Sequence, residues 1–180
     1  METEKTIKPW RPTLHAVLLN GALFALAALI YASIPSISRY QWSFYCGFFV
    51  SVALGLTAQR IPNCIVSVLC GFAWALLYWY LPGWLMTLGM GKIIAVVLGE
   101  FICTSSLLFI HLYFLKNTWA NVVPFMFCAV ANVYASGGPQ NIPYCGGSII
   151  IAICCCVLCN TIAGKINRKY LAKEQAVNSL

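Results

Sequence analysis

The sequence predicts an all-α polytopic membrane protein of six transmembrane helices, arranged as a 3+3 inverted-topology repeat. Three observations carry that fold class. Of 180 residues, 61% are apolar and only 8% charged, against about 25% charged in an ordinary soluble domain, too few to build a water-facing surface. Apolar stretches near the length of about 20 residues that a helix needs to cross a hydrocarbon core occur six times along the chain. A short motif at the end of the second stretch returns 81 residues later, at the end of the fifth.

The six spans fall at 13–33, 40–58, 62–81, 93–115, 119–136 and 147–164. The first follows Lys5, Lys8 and Arg11 as the core of a signal peptide does. Its apolar run exceeds the usual length of about 7–15 residues, so it is expected to stay as an uncleaved span. The second carries Gly47, Ala53 and Gly55, and the third Gly71 and Ala73, small residues that let helix backbones approach closely. Trp74, Tyr78, Trp79, Tyr80 and Trp84 run along the third span to its outer end, the pattern of an interfacial aromatic belt. Trp74 lies deeper, where its alternative role is to wall a cavity and meet an organic cation.

The fourth span contains Glu100 and ends near His111, and the fifth repeats the small-residue signal at Ala129, Ala131 and Ala135. The sixth holds the run Cys154 to Cys159 and leads into a basic cytoplasmic tail, 165–180. A transmembrane barrel requires alternating apolar and polar residues, and the run Ser148-Ile-Ile-Ile-Ala-Ile does not alternate. Residues 1–180 therefore form one membrane domain.

Orientation follows from the Lys and Arg residues. Lys5, Lys8, Arg11, Arg60, Lys116, Lys165, Arg168, Lys169 and Lys173 fall on one side, and Arg39 and Lys92 on the other. The positive-inside rule makes the rich side cytoplasmic, with both termini there. The net charge of +7 is thus topological, and no nucleic-acid partner is expected, since that would need basic residues gathered on a solvated face. Most of the ten Cys lie well inside spans. Small-residue packing explains them better than a Cu(I) relay, although Cys155 and Cys159 stand one turn apart. No metal or cofactor is expected.

In the recurring motif, Gln59-Arg-Ile-Pro-Asn-Cys64 returns as Gln140-Asn-Ile-Pro-Tyr-Cys145, and the same register lays Phe44 on Phe125 and Ser67 on Ser148. It also lays spans one to three on spans four to six; the alternative is a coincidence of two similar turns. Three spans is an odd number, so the second copy would be inverted, the arrangement of many channels and secondary transporters. In the second copy the fifth span runs out through Ser136, Gly137, Gly138, Pro139, Gln140 and Asn141 to Pro143. Either this segment dips into the membrane and lines a polar constriction with its carbonyls, Gln140 and Asn141, or it is an ordinary external turn.

Glu100 is the only acidic residue inside a span, and a charge at mid-bilayer costs several kcal/mol. Three readings stay open: a proton-coupling site, a fixed group that sets selectivity, or a carboxyl fastened to Asn20, Asn132 or Lys92. With Cys103, Thr104 and His111 it gives the fourth span a polar face. Glu100 and His111 are the candidates to exchange protons. The expected solute path comprises Glu100, Asn132, Ser136, Gly137, Gly138, Gln140 and Asn141.

Trp42-Ser-Phe-Tyr-Cys-Gly47, Gly71-Phe-Ala-Trp-Ala75 and Val123-Pro-Phe-Met-Phe-Cys-Ala-Val-Ala-Asn-Val-Tyr-Ala-Ser-Gly-Gly138 resemble segments of the small bacterial inner-membrane proteins typified by enterobacterial YcdZ, over roughly residues 40–164. The resemblance implies a multi-pass protein of the bacterial cytoplasmic membrane and brings no established site residues. The expected function is a channel or transporter for a small solute, working as a homo-oligomer in the lipid bilayer. Two alternatives accompany it: a proton-coupled exporter of small cations using Glu100, or a structural or regulatory membrane subunit without transport. An enzyme is not expected, since the two His residues lack matching carboxylates and no nucleophile stands beside a base.

Overall fold

In the computed structural model, which describes residues 10–178, the chain forms seven α-helices: α1 (Trp10–Ser33), the single turn α2 (Pro35–Ser38), α3 (Gln41–Ala53), α4 (Ile61–Thr87), α5 (Lys92–Phe109), α6 (Val123–Ala135) and α7 (Ile142–Asn178). Short 3-10 turns, Ala58–Arg60 and Pro139–Asn141, lead into α4 and α7, and a π-helical turn, Ile110–Phe114, extends α5. Lys5 and Lys8 lie outside the described residues. Among the described residues, three helical stretches are long and apolar enough to cross a membrane: Ala58–Thr87, Lys92–Phe114 and Pro139–Ile166. Val17–Ser33 and Val123–Ala135 are apolar but shorter.

A helix covers each expected span, with different bounds. The second is cut to 13 residues, about 20 Å at 1.5 Å per residue, because α3 ends at Gly55, whose φ of 56° places it in the left-handed region. There the Gly55 N–H meets Val52 O and the Leu56 N–H meets Ser51 O, a Schellman closure. The fifth also shrinks to 13 residues. Pro124 opens α6 in its first turn, where no amide proton is needed. Gly137 closes it with the same pair of bonds, Gly137 N–H to Tyr134 O and Gly138 N–H to Val133 O. The sixth begins earlier than expected, at Ile142, and runs on through the basic tail to Asn178.

Contacts fix the helix directions. Tyr40 bonds Asn141 near the start of α7, and Asn160 farther along α7 reaches Leu56 just past α3, so α3 and α7 run the same way. Ser67 accepts the Val122 N–H while Tyr134 bonds the Tyr78 carbonyl, so α4 and α6 also run together. Phe72 lies against Gly146 and Trp79 against Gly138, which sets α4 antiparallel to α7. On the flanks, α5 returns along α4 through Pro82 to Gly99, Tyr78 to Thr104 and Trp74 to His111. Similarly, α1 lies along α7 and α3 through Tyr31 to Ser148 and Phe24 to Phe48. Thus α1, α4 and α6 point one way, and α3, α5 and α7 the other.

The buried faces of α4 and α7 match at the offset of the sequence repeat. Cys64, Ser67, Val68, Gly71, Phe72, Ala75 and Tyr78 are buried on α4, as are Cys145, Ser148, Ile149, Ala152, Ile153, Cys156 and Cys159 on α7. Each helix receives a close neighbour at the same level. A β-carbon built at Gly71 lies 2.8 Å from Ala129 Cβ on α6, and one at Gly47 of α3 lies 3.2 Å from Ala152 Cβ on α7. Polar groups sit inside, with Ser43, Ser51, Ser67, Asn132 and Ser148 buried, while Ile93, Phe101, Tyr113 and Phe114 are more than 60% exposed. An apolar exterior over a partly polar interior is the distribution that lipid, not water, favours.

Candidate functional site

Pro82 interrupts α4 from within. It has no amide proton, so the carbonyl four residues back, on Tyr78, loses its helical donor. The Tyr134 hydroxyl of α6 replaces that donor at 2.8 Å. The same phenol oxygen lies 3.2 Å from Glu100 Oε1 on α5, and the Tyr78 hydroxyl meets Thr104 Oγ1 at 2.7 Å. The Tyr134 ring stands 5.4 Å from Trp79, tilted 55°, and Trp79 in turn lies against Gly138, where a built β-carbon is 3.1 Å from its ring. One corner between α4, α5 and α6 therefore gathers Glu100, Tyr134, Trp79 and Gly138.

Glu100 is not on the buried stripe of α5, which is Ala95, Gly99, Cys103 and Leu107, continued by His111. It sits beside that stripe, partly exposed. The Tyr134 phenol lies within hydrogen-bond distance of it, and among the described residues none of the candidate fasteners Asn20, Asn132 and Lys92 does. Asn132 is fully buried, with its amide donating to Cys128 O at 2.7 Å and its Oδ1 without a partner.

Eleven residues farther on, about 16 Å along the helix, His111 serves a separate purpose. The Trp74 indole N–H donates to His111 Nε2 at 3.0 Å, and Nδ1 lies 2.7 Å from Ala120 O. An indole only donates, so Nε2 accepts and Nδ1 carries the proton that it gives to Ala120 O. Both ring nitrogens are engaged and the ring is buried. Trp74 thereby joins α4 to α5 and, through His111, to the segment entering α6.

The 136–143 segment is a tight, braced turn. Gly137 and Gly138 adopt φ of 88° and 129°, values that side chains with a β-carbon avoid. Ser136 Oγ caps its own helix at Val133 O, and Gln140, exposed, folds its amide back onto Gly137 O. Asn141 points the other way and is buried. Its Nδ2 donates to Ser136 O at 2.7 Å, while its Oδ1 accepts from Tyr40 Oη at 2.6 Å and Arg39 Nη2 at 3.1 Å. The Tyr40 ring also stacks on Tyr144 at 5.0 Å.

The expected path residues thus divide. Gly138 and Glu100 meet the corner around Trp79 and Tyr134, with Gln140 packed beside Gly138. Asn132 and Asn141 bond within the layer of α3, α6 and α7. Asn141→Ala removes three hydrogen bonds and orphans buried groups at about 1–3 kcal/mol each. A loss of about 2–4 kcal/mol is expected in detergent unfolding, with Asn141→Asp intermediate because it keeps the acceptor for Tyr40 and Arg39.

Tyr134 and Trp79 were not expected at the site. The sequence signal for Tyr134 is Pro82, which leaves a carbonyl that an interior hydroxyl must satisfy. No protein-family model, curated protein or solved structure matches the chain.

Proposed function

We propose that the chain crosses the bacterial cytoplasmic membrane six times, both termini inside, as two inverted three-helix repeats that let a small solute pass. The observation that carries this reading is the pairing of opposite helix directions with one burial pattern. In chain order α1, α3 and α4 alternate in one sense and α5, α6 and α7 in the opposite sense, while α4 and α7 bury equivalent residues. Inverted repeats of this kind place solute sites at the interface between the halves. The apolar exterior supports residence in lipid, and the resemblance to the YcdZ-type proteins supports a bacterial inner membrane. Six helices, two of them only 13 residues long, leave little room for a wide cavity, so the solute is small or the path is shared between copies of a homo-oligomer.

A passive channel is the first reading, and proton-coupled export of small cations the second. Glu100 favours the second, since it is a partly exposed carboxyl in an apolar helix, with no ion-pair partner within reach among the described residues. Purified protein in proteoliposomes with an internal pH reporter, offered small neutral, weak-acid and cationic solutes, tests both. Flux independent of a proton gradient supports the channel, and flux tied to proton movement supports the exporter. Silence from folded, inserted protein overturns both and favours a partner-docking subunit.

A further inference from the structure

We propose that Glu100, Tyr134 and Trp79 form a binding site for a small organic ammonium ion. The proposal rests on the permeation reading and deepens it by naming the class of substrate.

The argument begins with a count of protons. The Tyr134 hydroxyl has one, and two acceptors compete for it: the Tyr78 carbonyl at 2.8 Å and Glu100 Oε1 at 3.2 Å. Pro82 leaves that carbonyl without any helical donor, so the shorter bond holds the proton. Glu100 then faces the lone pairs of the phenol. With the phenol proton shared with the Tyr78 carbonyl, a carboxylate at Glu100 in this apolar helix gains from a nearby cation. The described residues supply none, for Lys92 is two helical turns away on the same helix, about 12 Å along its axis, and forms no ion pair with it.

What stands beside the carboxylate is aromatic. Trp79 and Tyr134 are both partly exposed, and their rings, 5.4 Å apart and inclined at 55°, make a corner with two π-faces. Aromatic faces attract ammonium groups through the ring quadrupole, most strongly for indole and where water is excluded. A carboxylate with two rings recognises a charged nitrogen that carries apolar substituents. A bare metal ion, which wants several oxygen ligands, finds only the carboxyl and a phenol. An anion or a neutral amide is not favoured by either feature. Gly138 keeps the corner open at its edge, because a side chain there would press on Trp79.

The test is equilibrium binding to the full-length protein in maltoside micelles, with tetramethylammonium and ethylammonium chloride as probes and urea and sodium chloride as controls. Saturable binding of the ammonium probes alone is expected. Glu100→Gln is expected to weaken it at least about tenfold, and Trp79→Leu several-fold, most for tetramethylammonium. Pro82→Ala restores an amide for the Tyr78 carbonyl and frees the Tyr134 proton for Glu100, so it too is expected to weaken binding several-fold, while Trp84→Leu, outside the corner, leaves it unchanged. Gel filtration and near-ultraviolet dichroism establish that each variant is folded.

No saturable binding by folded wild-type protein overturns the proposal, as does Glu100→Gln binding within about twofold of wild type or Trp79→Leu and Pro82→Ala both binding as wild type. Repeating the titration in nanodiscs of phosphatidylglycerol and of phosphatidylcholine distinguishes the two sources of this chemistry. Competition by phosphatidylcholine identifies a lipid headgroup as the occupant, and equal binding in both identifies a soluble cation. Binding does not require flux. Flux without ammonium binding sinks this site and spares the permeation reading, whereas binding without flux spares the site and sinks the reading.

Discussion

Gly71→Ala is expected to destabilise the protein strongly, by about 3 kcal/mol or more, at or above the upper end of overpacking costs. The added carbon would lie 2.6 Å from Met126 Cα and 2.7 Å from Met126 O. Both are backbone atoms of α6, so relief requires moving one helix against another. The gain in helix propensity, about 1 kcal/mol, is too small to offset that. Gly47→Ala makes the instructive contrast. Its new carbon would meet Ile149 Cα at 3.0 Å and Ile149 O at 3.1 Å, contacts that a shift of a few tenths of an ångström relieves, so propensity and crowding nearly cancel. Gly21→Ala, with nothing within 4 Å, is expected to be neutral or slightly stabilising. Thermal or SDS-induced unfolding of the three variants checks the order. Gly71→Ala unfolding together with wild type would show that α4 and α6 do not pack as described.

The second large effect is expected at His111. Replacement by Phe keeps a ring of similar size but leaves the Trp74 indole N–H and the Ala120 carbonyl without partners in a buried position. Each orphaned group costs about 1–3 kcal/mol, for a loss of about 2–5 kcal/mol. Trp74→Phe removes one donor and is expected to cost less. The double variant is expected to lose less than the sum, because His111→Phe no longer strands an indole N–H. Equilibrium unfolding of the four proteins yields the coupling. Strict additivity would dissociate the two side chains. Loss of Trp74 near-ultraviolet dichroism in His111→Phe would independently report release of the indole.

The repeat motif was legible because both copies must solve one local problem. A short helix ends at a glycine and a longer one begins with proline in its first turn, and Gly55, Pro62, Gly137 and Pro143 announce this in the chain. The true lengths of α3 and α6 were not legible. Hydropathy integrates over a window of about 20 residues and continues across a break that left-handed glycines impose. The polar face expected between Glu100 and His111 was half legible. The two residues do lie near one azimuth, yet Glu100 is displaced from the buried stripe, and its partner Tyr134 comes from another helix. Within the expected aromatic belt the side chains have different neighbours: Trp74 bonds His111, Tyr78 meets Thr104 and Trp79 packs on Tyr134, with Tyr80 and Trp84 exposed.

What the sequence by itself determined is the class of the protein and the periodic parts of its plan. Few charges and long apolar runs dictate helices whose backbone bonds close internally, and a short motif recurs at an offset of 81 residues. These properties are local or statistical, so they survive in one dimension. Only the tertiary structure decided which helices touch and which hydroxyl serves the carbonyl orphaned by Pro82. It also decided that the expected path residues split between the corner around Trp79 and Tyr134 and a braced turn. Those outcomes depend on contacts between residues tens of positions apart, set by how closely glycine and alanine let backbones approach. Such distances are fixed when the helices pack.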